Sequence, residues 1–203
     1  MLYANSILGV FMKSSSSRSD QSVALRRAGN RQWVLKPQDL AVVLKLVTLR
    51  GVTRLSYAAL SKQLLLSQFE AHAAVQRLIV ARLVVEMGGE LRPVMAAVRN
   101  FVIYGAAYCY PVLRGEVTIG FPTAYAVPPL KYLVLYAEEM PPVWPHPDGT
   151  TRGTGVMPLY EKLPMAAIAD PALYELLALF DALRMGQARE RELAVKLLKE
   201  RLH

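Results

Sequence analysis

The sequence predicts an α+β fold that is mostly helical, and three observations carry that reading. Apolar residues recur at helical spacing in separate stretches from Leu40 to Leu198. Residues with β propensity come only in short pieces, one pair of them flanking Gly88-Gly89. Ten of the thirteen prolines lie between Pro111 and Pro164, so an irregular stretch separates helical beginnings from a helical end.

Taken in order, residues 1–30 are expected to be a flexible tail, because "KSSSSRSD" (13–20) is polar and serine-rich. The opening "MLYANSILGVF" is apolar but short, without a basic leader or an Ala-x-Ala site, and does not read as a secretory signal. Order is expected from about Trp33. "KPQDLAVVLKLVTLRG" predicts a first helix over 37–50: Pro37 suits the first turn, Asp39 the positive end of the dipole and Gly51 the stop. Leu40, Val43, Leu44 and Val47 give it one apolar face. "VTRL" (52–55) is a short β-prone piece. Ser56 caps a second helix with Tyr57, Leu60 and Leu64 turned inward.

Ser67 and Glu70 then spell a capping box for a third helix over 68–81. Ala71, Ala74, Val75 and Leu78 form its core face, and Gln68, His72 and Gln76 make a polar stripe beside it. Phe69 fits neither face. Leu83–Glu86 and Glu90–Arg92 read as two strands joined by the Gly88-Gly89 turn. A largely apolar helix follows Pro93 and runs to about Tyr104. Glu116–Phe121 and Lys131–Tyr136 are β-prone, and residues 138–155 read as an irregular loop. Asp170 and Pro171 open an amphipathic helix with Leu173, Leu176, Leu177, Phe180 and Leu183 on one side. Gly186 stops it, and a last helix carries Leu193, Leu197 and Leu198. The predicted organisation is a tail (1–30), a first domain (31–95) and a second lobe (96–203).

Charge is distributed unevenly. The net charge is +8, and residues 31–100 hold ten Lys/Arg against four acids, whereas residues 101–203 hold ten against eleven. A basic first half joined to a neutral second half suits contact between the first half and a polyanion. No apolar run reaches the length of a membrane span, so no membrane partner is expected. A single cysteine, Cys109, excludes an intrachain disulfide and fits a reducing cytoplasm.

Catalysis and cofactors find little support. His72, His146 and His203 have no metal-ligand spacing, Cys109 has no cysteine partner, and no G-x-S-x-G elbow occurs. No metal or cofactor is expected, and an enzyme is not the reading. "GTTRGTGVMP" lacks the Lys-Ser/Thr ending of a phosphate loop, but leaves Thr151, Arg152 and Gly153 as a candidate anion or ligand loop. His146 beside Asp148 reads as a turn before it reads as an acid–base pair.

The order helix, short strand, helix, turn, helix, hairpin is carried by "LSYAALSKQLLLSQFEAHAAVQRLIVARLVV" and "VVEMGGELRP". Over residues 37–93 it resembles the winged helix-turn-helix domain of MarR-like transcription regulators. The resemblance implies a third helix in the major groove and a hairpin wing on the backbone, although this hairpin is short and has no Arg or Lys at its tip. The whole chain then reads as a winged helix-turn-helix, a Pro-rich mixed lobe and a C-terminal helical hairpin. Gln68, His72 and Gln76 are the expected base contacts, since Gln pairs well with adenine in the major groove. Arg54, Lys62, Arg77, Arg82 and Arg92 are the expected phosphate contacts. The function expected is a DNA-binding regulator, a dimeric repressor on double-stranded DNA, with the second lobe serving a small-molecule effector, a partner protein or dimerisation. The alternative is a winged-helix protein-binding module, an antitoxin or adaptor for a partner enzyme.

Overall fold

A computed structural model describes residues 33–50, 55–134 and 140–203. Its first helix, α1 (Pro37–Thr48), starts on Pro37 as predicted. The predicted face Leu40, Val43, Leu44 and Val47 is buried, but so are Ala41, Val42 and Leu46. A helix buried all round needs cover on both sides. That cover comes from α3 (Gln68–Val80) on one side and from α7 (Pro171–Met185) on the other. Single-face periodicity does not register a helix covered all round.

Between α1 and α3 lies α2 (Tyr57–Leu64), capped by the Ser56 hydroxyl accepting from the Ala59 N–H at 3.1 Å. The piece "VTRL" and Arg54 lie in residues 51–54, outside the described residues. Leu65 ends α2 in the left-handed region (φ 53°), a conformation that disfavours a side chain. Leu66 closes the turn by donating its N–H to the Ser61 carbonyl at 3.0 Å. After α3 come β1 (Val84–Met87) and β2 (Glu90–Pro93), paired antiparallel with Val85 opposite Arg92 and Met87 opposite Glu90. Gly88 and Gly89 both take positive φ, 61° and 78°, as a two-residue hairpin turn demands.

The second half departs further from expectation. α4 (Met95–Tyr104) and the short α5 (Ala106–Cys109) follow the hairpin. The loop predicted over 138–155 contains two strands instead: β4 (Pro142–Pro145) and β5 (Thr151–Val156). Both pair antiparallel with β3 (Arg114–Pro122) and parallel with each other, so three strands close on themselves. Closure this tight brings backbones together. A side chain at Gly120 would overlap the Trp144 carbonyl, and one at Gly153 the Pro141 carbonyl. The glycines that suggested a loop are there for backbone approach. The β-prone Lys131–Tyr136 is also not a strand where described: Leu130–Tyr132 is a 3₁₀ turn.

A short α6 (Leu163–Ile168) leads into α7 and α8 (Ala188–Arg201), the predicted helical hairpin. The Asp170 carboxylate caps α7 through the Leu173 N–H at 3.1 Å and also meets the Lys45 ammonium at 2.5 Å. Leu173, Leu176, Leu177, Phe180 and Leu183 are all buried against the rest of the chain. The apolar side of α7 is therefore occupied internally. The core runs without interruption from α1 through α7 to Leu198, and Val34–His203 pack as one compact unit. No helix of the described residues is long and apolar enough to cross a membrane.

Candidate functional site

The site is built around α3. Its start is fixed by the predicted capping box: Ser67 Oγ accepts the Glu70 N–H at 3.2 Å, and Glu70 Oε2 accepts the Ser67 N–H at 2.9 Å and its hydroxyl at 2.7 Å. These bonds from Ser67 hold the Glu70 carboxyl below its ordinary value. Ala71, Ala74, Val75 and Leu78 are fully buried, which turns the opposite side of the helix outward.

On that outward side Gln68 and His72 are exposed and Gln76 is half-buried. His72 is not free-standing: its ring meets the edge of Tyr57 from α2, with centroids 5.0 Å apart. Burial foremost, with the Glu86 charge, raises the Tyr57 hydroxyl, and the nearby Gln76 side chain opposes the shift. Gln68 thus stands apart at the helix start, whereas His72 is braced by α2. Phe69, which the sequence left unplaced, is 80% exposed, and Val80 at the far end is 54% exposed. The outward side carries apolar as well as polar groups.

The five expected phosphate contacts separate. Lys62 and Arg82 are exposed and have no carboxylate partner within 4 Å among the described residues. Arg92 is exposed but pairs with Glu90 at 2.7 Å, two residues away along β2. Arg54 lies outside the described residues. Arg77 corrects the expectation outright. It points inward, where its Nε and one terminal nitrogen donate to the two Asp39 oxygens at 2.6 Å each. The Asp39 bond, against burial, raises the Arg77 guanidinium. A buried guanidinium held bidentate by a carboxylate has no geometry left for a phosphate. Its place in the sequence left both directions open: Arg77 follows Ala74 by three and precedes Leu78, so it borders the core face.

The candidate anion loop is also corrected. Thr151, Arg152 and Gly153 belong to β5, where Thr151 pairs with Gly120, Arg152 with Ile119 and Gly153 with Thr118. Their backbone lies in a sheet ladder and forms no cradle. His146 and Asp148 form a turn: the Asp148 N–H donates to His146 Nδ1 at 3.1 Å, and the Asp148 side chain is 78% exposed. Among the described residues no group of three His, Cys, Asp or Glu is placed to hold a metal.

A second polar centre, which sequence reasoning missed, sits under the strands. Asp181 Oδ2 accepts from Thr123 Oγ1 at 2.6 Å and Trp144 Nε1 at 2.7 Å, while Oδ1 accepts from Arg184 Nε at 2.8 Å. Arg184 also donates to the Tyr110 and Met157 carbonyls and lies over the Phe180 ring. Every group there is satisfied, so its role is to lock elements together. No protein-family model, no curated protein and no solved structure matches this chain.

Proposed function

We propose that the chain is a winged-helix DNA-binding regulator of MarR-like kind, acting as a dimeric repressor in the cytoplasm. In this reading α2, the turn at Leu65 and α3 are the helix-turn-helix, and β1–β2 is a short wing. The observation that carries it is the outward side of α3. Gln68 and His72 are exposed at its start, and Lys62 and Arg82 flank it without carboxylate partners among the described residues. Gln68 reads a base edge at the helix N-terminus, where such contacts concentrate. His72 reaches the groove braced by Tyr57, with Gln76 beside it. Lys62, Arg82 and Arg54 bind phosphates, and Arg92 does so on leaving Glu90. Arg77 instead sets the angle of α3 against α1. The dimer uses a surface other than the buried side of α7.

A gel shift with the chain's own promoter tests this. Gln68→Ala/Gln76→Ala is expected to lose sequence preference and keep nonspecific binding. Unchanged preference removes the glutamines from the role.

A second reading is favoured by Phe69 and Val80, which put apolar area on the same side of α3. In that reading the helix docks onto a partner enzyme, as an antitoxin or adaptor would. Phe69→Asp separates the two: it abolishes a protein complex outright, whereas it weakens DNA binding without abolishing a phosphate-driven component.

A further inference from the structure

The nine-residue strand β3 has two edges, and they are occupied unequally. On one edge β5 pairs with it from Arg114 to Gly120; on the other, β4 pairs only with Gly120, Phe121 and Pro122. Residues 114–118 therefore have no strand neighbour on that second edge among the described residues. The direction of the backbone groups follows from the pairing. The Ile119 carbonyl accepts the His146 N–H just past the end of β4, so Ile119 faces the second edge, and alternation turns the Val117 N–H and carbonyl the same way.

An open strand edge is a template for another strand, and proteins guard such edges with lysine, proline or a bulge. Residues 113–119 contain no Lys and no Pro. The bulge in β3 falls between Arg114 and Val117 and leaves Val117 to Ile119 in regular register. Apolar side chains accompany the open edge: Leu113, Val117 and Met157 are 66%, 48% and 59% exposed. A groove of about 380 Å³ runs beside residues 113–118, bordered by Pro145 and Met157.

We infer that this edge is an interface between two copies of the chain, with β3 of one pairing antiparallel to β3 of the other about a two-fold axis at Val117. An antiparallel edge is its own complement, because the Val117 N–H of each copy meets the Val117 carbonyl of the other. The charges match as well. Glu116 lies on one side of the axis, and Arg152, opposite Ile119 in β5, lies on the other. Both are exposed, and neither has an ion-pair partner among the described residues. Antiparallel pairing sets Glu116 of each copy on the Arg152 side of the other. Arg114 is drawn aside by the Met185 carbonyl, to which it donates at 3.1 Å. Leu113, Val117 and Met157 lose exposure in the same step. The inference rests on the dimeric part of the proposed function and on no DNA contact.

Light scattering on the full chain over roughly 1 to 200 µM tests the pairing. A reversible dimer is expected, since the interface is small, and amide exchange over residues 114–118 should slow as the dimer forms. Val117→Pro removes an N–H that has no ladder partner within the described chain, and Val117→Lys puts a charge on the edge without touching the backbone. Each is expected to weaken dimerisation roughly tenfold or more, with the melting temperature of the dilute chain unchanged. A wild type that stays monomeric throughout that range overturns the interface, and so does full dimerisation by Val117→Lys. Slow exchange over residues 114–118 in a monomer overturns it too, because another part of the chain would then cover the edge. A chain that dimerises through β3 and binds no DNA at any salt concentration sinks the DNA-binding proposal and leaves the interface standing. A chain that binds its promoter as a monomer does the reverse.

Discussion

Each half of the molecule buries an aspartate, and the two are held differently. Asp39, in α1, faces the Arg77 guanidinium and the Lys36 N–H. Asp181, in α7, gathers an arginine, an indole N–H and a hydroxyl from three parts of the chain. The first joins two helices and fixes the attitude of one of them, leaving its outer side free. The second ties the strands, the turn at Thr123 and the long C-terminal helix into one body. The difference shows where the chain is built to present a surface and where it is built to hold together.

That contrast breaks most readily at the aspartates themselves. Asp181→Ala leaves the Arg184 guanidinium buried without its carboxylate and strands two further donors, so a loss of about 5 kcal/mol in urea unfolding is expected. Asp39→Ala strands chiefly Arg77 and is expected to cost about 3 kcal/mol. Equal or reversed losses would remove the distinction between the two centres.

Replacing the first pair sharpens it. Asp39→Leu/Arg77→Met exchanges a buried ion pair for apolar side chains of similar size, and stability within about 1 kcal/mol of wild type is expected. The salt dependence of DNA binding should then be unchanged, because Arg77 contacts no phosphate. Arg82→Asn keeps a residue tolerant of the positive φ found at position 82, 59°, and should lower the slope of log affinity against log salt by about 0.9. A slope that falls in the first variant and not in the second would reverse those roles.

Smaller effects are expected at Tyr110 and Glu70. The Tyr110 hydroxyl is buried with no hydrogen-bond partner among the described residues, and burial foremost raises it. Tyr110→Phe should leave stability unchanged or raise it by about 1 kcal/mol in urea unfolding. The depressed Glu70 carboxyl contributes stability that is fully present above the ordinary glutamate range and is lost as pH falls through its folded value. Glu70 is exposed, so the contribution is small; a shallower acid dependence of the melting temperature in Glu70→Gln than in the wild type is the measurable sign.

The legibility of the two halves follows from the same contrast. Contacts within α2, α3 and the hairpin are short in sequence, and caps, periodicity and Gly88-Gly89 report them directly. The three strands are fixed by backbone approach at Gly120 and Gly153 and by Asp181 reaching Trp144 and Thr123, none of which leaves a local pattern. Periodicity placed Gln68 and His72 outward but could not show Tyr57 bracing His72, since that contact spans two helices. It also left Arg77 ambiguous, because a long cation bordering a core face is directed by a partner that only the fold supplies. A groove beside the α2–α3 turn joins residues 61–66 to 145–165, a distance no sequence motif bridges.

Amide chemical-shift mapping of the full chain, titrated with a duplex from its own promoter at low salt, tests the central proposal most directly. The largest shifts are expected from Gln68 to Gln76, with Lys62 and Arg82 beside them and Arg77 little changed. Shifts confined to the three strands and the C-terminal helices, or no shifts at all, would contradict a DNA-reading role for α3.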